Sequence, residues 1–205
     1  MVDEQRELLE RLDHFALNPK VILDVDGRVI GAGDALRRRF PQARLIAAQN
    51  APHESLKDGA RVRSNTLVNF FGKWWPRRSP VEYVDMTATQ LPLEDHSVDV
   101  VLARRWTPGI DALDASLREL HRVLVTGGLL LCTTPSPTSV AGQADMLDLG
   151  SALMRAGFVE PVLDVDRVGP LQEEIIHVAA FAGEVQSSRT AGETVVPFPS
   201  TRRRG

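Results

Sequence analysis

The sequence has little cysteine, no long apolar run and no strong charge of one sign. Cys132 is the one cysteine among 205 residues, which excludes an intrachain disulfide framework and a thiolate zinc site. No stretch approaches the roughly 20 apolar residues that span a bilayer. The net charge is -3 and the pI is about 6.0, so general electrostatic attraction to nucleic acid is not expected.

The two ends of the sequence predict a cytoplasmic protein with a tail. Residues 1–7 do not follow the basic-then-apolar pattern of a secretion signal, and a single cysteine suits a reducing compartment. Residues 186–205 are polar and rich in Ser, Thr and Pro, which predicts a disordered tail. We therefore expect one domain over residues 1–185.

Apolar patterning predicts alternating strands and helices. Helices are expected at 3–15, 31–39, 111–124 and 143–156, and strands at 20–25, 43–48, 81–86, 98–103, 129–134, 158–166 and 174–182. Gly127-Gly128 is expected to form the turn out of the third helix. The alternation favours a Rossmann-like, doubly wound α/β fold, with seven strands in a mostly parallel sheet and an antiparallel hairpin at one edge.

Short motifs accompany several of the predicted strands. Leu23-Asp24 closes the first strand, Gln90-Leu91-Pro92-Leu93 follows the third, and residues 117–131 lead through the fifth. Together with the order of the elements, these motifs resemble the class I S-adenosylmethionine (SAM) dependent methyltransferases. Residues 7–13 and 148–165 narrow the resemblance to the malonyl-acyl-carrier-protein O-methyltransferases of biotin synthesis.

The resemblance implies a SAM site at the carboxyl ends of the strands. In the family the loop after the first strand reads Asp-x-Gly-x-Gly-x-Gly, whereas this chain reads DVDGRVIG from Asp24 onwards. Asp26, Arg28 and Ile30 therefore stand at the three glycine positions. A β-branched residue such as Ile30 is unfavourable wherever φ must be positive. Asp24 and Gly27 remain as candidate cofactor-binding residues.

Two further cofactor positions differ from the family pattern. Gln49 stands where an acidic residue usually accepts hydrogen bonds from both ribose hydroxyls, and a neutral amide gives a weaker bond than a carboxylate. Thr87 stands where an acidic residue usually meets the adenine amino group, with Asp85 two residues upstream. Ala88 completes the implied pocket. These departures predict SAM binding that is weakened or lost.

Candidate substrate residues follow the fourth strand, where the chain reads Arg104-Arg105-Trp106. The resemblance implies that Arg105 and Trp106 face the substrate, and an arginine suits a carboxylate, although a solvated charge at the rim is an equal alternative. By resemblance the substrate would be a malonyl thioester on an acyl-carrier protein. The short connection from Asp166 to Glu174 predicts an open cleft without a lid.

Other features have a structural and a functional interpretation. Residues 60–80 mix arginines with phenylalanines and tryptophans, which indicates either a partner surface or aromatic filling between sheet and loop. The five histidines show no metal-ligand spacing, so no metal site is expected. Cys132 lies in an apolar strand and is expected to be a buried small hydrophobic residue.

Three functions remain open at this point. The first is an active SAM-dependent methyltransferase, in which placing a carboxylate in line with the sulfonium does most of the catalysis. The second is a non-catalytic scaffold or regulatory paralogue that has lost cofactor binding, since fold does not imply activity. The third is a different nucleotide or anionic ligand held by Arg28 and Asp26.

Overall fold

Eight strands and four α-helices make up the described part of the chain. The computed structural model describes residues 2–25, 35–50, 62–63, 81–87 and 89–184. The helices are α1 (Val2–Arg11), α2 (Ala35–Arg39), α3 (Leu113–Val123) and α4 (Met146–Arg155). The strands are β1 (Val21–Val25), β2 (Arg44–Asn50), β3 (Val62–Arg63), β4 (Val81–Met86), β5 (Val98–Ala103), β6 (Leu124–Pro135), β7 (Phe158–Val168) and β8 (Glu173–Ala182).

The strands form a single mixed sheet in the order β3-β4-β2-β1-β5-β6-β8-β7. Strands β4, β2, β1, β5 and β6 are parallel neighbours, and β8 and β7 complete one edge as an antiparallel hairpin. This confirms the seven predicted strands and the doubly wound α/β fold. The two-residue β3, antiparallel to β4, adds an eighth strand at the opposite edge.

The sheet is buried on both faces, as its near-continuous apolar strands require. One face packs against α3 and α4 and contains Leu23, Val25 and Val101; the other contains Ile22 and Leu102 and packs against Leu8 of α1. Successive side chains of a strand point to opposite faces. We call these the α3 face and the α1 face.

Buried leucines position α3 against the sheet, and Asp145 and Gly157 mark the two ends of α4. Leu113, Leu117 and Leu120 recur at helical spacing and are buried in the α3 face. The Asp145 side chain caps α4 by accepting a hydrogen bond of 2.8 Å from the Asp148 N–H. Gly157, with φ of +100°, follows the end of α4, where its freedom to adopt a positive φ lets the chain leave the helix.

The expected turn at Gly127-Gly128 is wrong. Helix α3 ends at Val123 and β6 starts directly at Leu124, so both glycines lie within the strand. Gly127 has φ of +77°, and the pairing with β5 shifts between Val98 and Val100. The glycines therefore form an irregularity that lets β6 begin early, which glycine's conformational freedom permits.

Of the remaining predictions on chain organisation, one is confirmed and the others fall on residues that the structure does not describe. The connection between β7 and β8 spans residues 169–172 and is as short as expected. The tail at 186–205 and most of the segment at 60–80 lie outside the described residues, and the domain boundary at 185 stays a prediction. Among the described helices, no helix is both long and apolar enough to cross a membrane.

Candidate functional site

The predicted cofactor residues Asp24 and Gln49 lie on one face of the sheet. Asp24 alternates with Leu23 and Val25 of the α3 face, so its fully buried side chain points to the α1 face. Gln49 follows Ala48 of the α3 face, so it also points to the α1 face, and its side chain is exposed. The two residues therefore share a face at the carboxyl ends of adjacent strands.

Asp85 lies beside Gln49. The register of β2 and β4 pairs Gln49 with Asp85, and both side chains point to the α1 face. Thr87 follows β4 in a bridge with Gln90, whose carbonyl accepts a 3.0 Å hydrogen bond from the Thr87 N–H. The carboxyl end of β2 therefore carries the amide of Gln49, and the carboxylate of Asp85 lies beside it on the neighbouring strand β4.

Several predicted cofactor positions cannot be placed. Gly27, Ala88 and the three residues at the family's glycine positions (Asp26, Arg28, Ile30) lie outside the described residues. Their roles stay predictions. At the described positions, Gln49 and Thr87 offer a neutral amide and a hydroxyl where charge-assisted bonds to ribose and adenine would need carboxylates. The described residues at these two predicted positions therefore carry no negative charge.

Trp106 lies between two small clefts on the α3 face. One cleft, of about 210 Å³, is lined by Val25, Met86, Ser116 and Glu119 as well as Trp106. The other, of about 230 Å³, is lined by residues that include Trp106, Pro108 and Leu149. Trp106 is 5% exposed and belongs to the core. The Trp106 ring therefore lines both clefts.

Arg105 is engaged by an acidic partner on the hairpin. Its Nη2 donates to Glu173 Oε1 at 2.5 Å and its Nη1 donates to Glu173 Oε2 at 3.1 Å. Its backbone, with φ of +52°, donates from N–H to Thr133 Oγ1 at 2.9 Å. A two-pronged pair of this kind is the geometry in which arginine binds carboxylates. A substrate carboxylate would have to compete with Glu173 for the guanidinium.

A second polar cluster joins the loop after β6 to β8. The Thr138 hydroxyl donates to Glu174 Oε2 at 2.6 Å, and Arg167 Nη2 donates to Glu174 Oε1 at 3.0 Å. The Ser136 N–H donates to the Glu174 carbonyl at 2.9 Å. The bond from Thr138 and the guanidinium of Arg167 lower the pKa of Glu174. These contacts fasten the hairpin to the carboxyl edge of the sheet.

Glu119 and Arg122 of α3 hold the loop that follows β4. Glu119 Oε1 accepts a 2.6 Å bond from the Leu91 N–H, and Arg122 donates to both Glu119 oxygens at 2.8 Å. Arg122 also donates to the carbonyls of Leu91 and Leu93 at 3.1 and 2.9 Å. The Gln-Leu-Pro-Leu motif is thereby fixed beside the first cleft.

Cys132 and His121 are buried in the core, whereas two other histidines are exposed. Cys132 is 1% exposed, and burial raises the pKa of its thiol to about 12, which confirms the prediction of a buried hydrophobic residue. His121 is buried edge-on against Phe158, with ring centroids 5.3 Å apart, and burial lowers its pKa. His14 and His96 are exposed, while His53 lies outside the described residues.

The structure thus groups part of what the sequence predicted. Asp24, Gln49, Arg105 and Trp106 all lie at the carboxyl ends of three adjacent strands, β2, β1 and β5. Sequence analysis missed Glu173, the partner of Arg105, and it also missed Glu174 and Glu119, which bind the loops after β6 and β4. Glu119 gave no local signal, because a residue next to Leu120 in the sequence lies about 100° away around the helix, where a charged side chain is ordinary.

Comparison with known sequences places a methyltransferase domain at residues 47–132. The chain is 31% identical over 184 residues to a malonyl-[acyl-carrier protein] O-methyltransferase of Gallionella capsiferriformans, covering 82% of this chain and 61% of that protein. It is 34% identical over 198 residues to the protein of the same name from Laribacter hongkongensis, covering 83% and 63%. The chain therefore spans less than two thirds of these curated relatives.

Solved structures of methyltransferases share the fold. A phosphoethanolamine N-methyltransferase 2 from Haemonchus contortus, in complex with SAM, superposes with a TM-score of 0.63 at 13% identity. The match covers 89% of this chain and 53% of that one. The same enzyme in complex with S-adenosylhomocysteine gives the same TM-score. At this identity the likeness concerns the fold alone.

Proposed function

We propose that this chain, which is similar to methyltransferases in sequence and fold, is a member of the SAM-dependent methyltransferase superfamily that acts as a scaffold or regulatory paralogue, with SAM binding weakened or lost. The observation that carries the proposal is Gln49, the next-to-last residue of β2, which has a neutral, exposed amide at the position of the family's ribose-binding acid. A neutral hydrogen bond is about half as strong as a charge-assisted one. The substituted glycine positions 26, 28 and 30 act in the same direction.

The distribution of the sequence changes supports a scaffold. The strands and helices keep the apolar residues that build the fold, including Leu23, Leu102 and Leu130, each fully buried. The departures from the family pattern fall at ligand positions. A chain that keeps its folding determinants but changes its cofactor anchors is suited to act through protein contacts.

Calorimetric titration with SAM and with S-adenosylhomocysteine tests this proposal. We expect no heat of binding at micromolar ligand for the native chain, and micromolar affinity for either ligand would overturn the proposal. A variant with Asp26→Gly, Arg28→Gly, Ile30→Gly and Gln49→Asp should gain affinity. The matched control replaces the same residues by alanine and Gln49 by Asn, which removes bulk without restoring glycine or the carboxylate, and should stay weak.

The second candidate is an active methyltransferase that acts on a carboxylate of a small or carrier-bound acyl substrate. Sequence similarity to proteins named malonyl-[acyl-carrier protein] O-methyltransferase favours it, as does the arginine at the end of β5. An acyl-carrier protein would be the partner. The chain would then transfer methyl label from SAM to malonyl-carrier protein and support growth of a biotin-requiring strain. Growth without SAM-dependent transfer would argue for a regulatory role instead.

A further inference from the structure

Three side chains that are distant in the sequence lie close together between α1 and the β7–β8 hairpin. His177 Nε2 of β8 lies 3.5 Å from Glu7 Oε1 of α1 and 3.4 Å from Asp166 Oδ2 of β7. All three atoms lie within 4.8 Å of one another. The three residues lie on α1, β7 and β8, and none of these elements lines the two clefts at Trp106.

Strand and helix periodicity bring the cluster together on the α1 face. His177 alternates with Ile176 and Val178 of the α3 face, so its ring points towards α1. Glu7 precedes the buried Leu8 on α1. The His177 side chain is 3% exposed, whereas Glu7 and Asp166 are 32% and 43% exposed. The histidine therefore forms the floor of a site whose carboxylates open to solvent.

We propose that Glu7, Asp166 and His177 bind a divalent cation of the zinc type. Zinc takes imidazole nitrogen and carboxylate oxygen at about 2.1 Å, and neighbouring ligands of a tetrahedral ion then lie about 3.4 Å apart. The two distances from His177 Nε2, 3.4 and 3.5 Å, match that spacing. Three protein ligands leave a fourth position for water.

The charges around the cluster favour a cation. Arg11 Nη2 lies 2.8 Å from Asp166, 3.4 Å from Glu7 and 3.5 Å from Asp164. One guanidinium thus faces three carboxylates, which leaves negative charge in excess. Arg11 is the competitor that an entering ion must displace.

A bound ion would join α1 to the hairpin. Glu7 lies on α1, while Asp166 and His177 lie on the paired strands β7 and β8. Binding to the folded chain alone raises its stability by mass action. Ligand spacing in the sequence could not indicate this site, because residues 7, 166 and 177 meet only through the fold. The inference does not depend on SAM binding.

Titration of the full chain with Co²⁺ and Zn²⁺ tests the site. We expect one equivalent of Co²⁺ to give visible ligand-field absorbance, Zn²⁺ to displace it, and each ion to raise the thermal midpoint. Loss of even a supporting residue of a metal site lowers affinity about 10-fold to 100-fold, so His177→Ala should lower it at least that much. Arg11→Gln should raise affinity, because it removes the competing charge.

Matched variants distinguish this site from adventitious binding. His14→Ala removes an exposed histidine beyond the end of α1 and should leave affinity unchanged. If His177→Ala fails to fold, Glu7→Gln and Asp166→Asn replace partly exposed groups and should each weaken binding. The proposal is overturned if the native chain binds no ion, or if His177→Ala, or both carboxylate variants, bind as tightly as the native chain.

Discussion

The carboxyl edge of the sheet has two halves that use polar side chains differently. Beside the carboxyl ends of β5 and β6 and the start of β8, charged side chains pair with one another, as in the two bonds from Arg105 to Glu173. At the ends of β2 and β4, Gln49 and Thr87 offer neutral groups beside Asp85. We call these the paired half and the cofactor half.

The difference between the halves indicates that the residues at ligand positions can change while the fold stays the same. Both halves are built on buried apolar strands, so the sheet does not depend on which side chains stand at its edge. In the paired half, the protein itself satisfies groups that could bind a substrate. In the cofactor half, neutral residues replace the expected acids. Both effects are consistent with our proposal that SAM binding is weakened or lost.

The largest effect is expected in the shared core, where the halves should behave alike. Leu23→Ala in β1 and Leu130→Ala in β6 each empty a fully buried site. Such a change costs about 2–5 kcal/mol, because transfer energy is lost and a cavity remains. Urea unfolding followed by circular dichroism measures both. A loss below 1 kcal/mol at one of these two sites alone would show that the core is poorly packed around it.

The next effect is expected at Arg122, which fastens the loop beside the cofactor half. Arg122→Ala removes bonds to Glu119 and to two carbonyls, and leaves Glu119 without its guanidinium partner. We expect a loss of about 1–3 kcal/mol in the free energy of unfolding. Arg118→Ala, on the same helix but 62% exposed, is the control and should cost much less.

Acid should weaken the same loop. Burial opposes ionisation of Glu119, but the bonds from Arg122 and the Leu91 N–H outweigh it and lower its pKa. The folded pKa thus lies below the unfolded value. Its contribution is present above about pH 4.5 and is lost as pH falls through the folded pKa. Unfolding curves at a series of pH values should show a smaller acid loss in Glu119→Gln. An unchanged acid slope would contradict this.

The sequence was sufficient for the fold and insufficient for the partners at the edge. The seven long strands follow from apolar runs between turn signals, because burial on both faces leaves a local pattern. Glu173 could not be assigned to Arg105, since that pairing depends on where the hairpin returns to the sheet. The same holds for Glu7, Asp166 and His177. The early start of β6 was missed because Gly127 also suits a turn.

A smaller effect is expected from the pair that distinguishes the paired half. A double-mutant cycle of Arg105→Ala and Glu173→Ala should give a coupling of about 1 kcal/mol, because both side chains are 28% exposed and the pair is two-pronged. Glu173→Gln should also free the guanidinium for a carboxylate. Malonate protection of Arg105 from an arginine-specific reagent would report this. Equal protection in the native chain would contradict competition by Glu173.

The smallest effect is expected at an ion pair between β2 and β4 that lies near the start of both strands, at the opposite side of the sheet from the cofactor half. Arg44 at the start of β2 donates to Glu82 of β4 at 2.8 and 2.6 Å, and the two side chains are 54% and 31% exposed. Solvent and salt screen such a pair, so its coupling should be about 0.5 kcal/mol and should fall further at 1 M salt. The measurement is the same double-mutant cycle at low and high salt. Because this pair also has two hydrogen bonds but is more exposed, a larger coupling here than between Arg105 and Glu173 would mean that the edge pair is held by its loop and not by its charges.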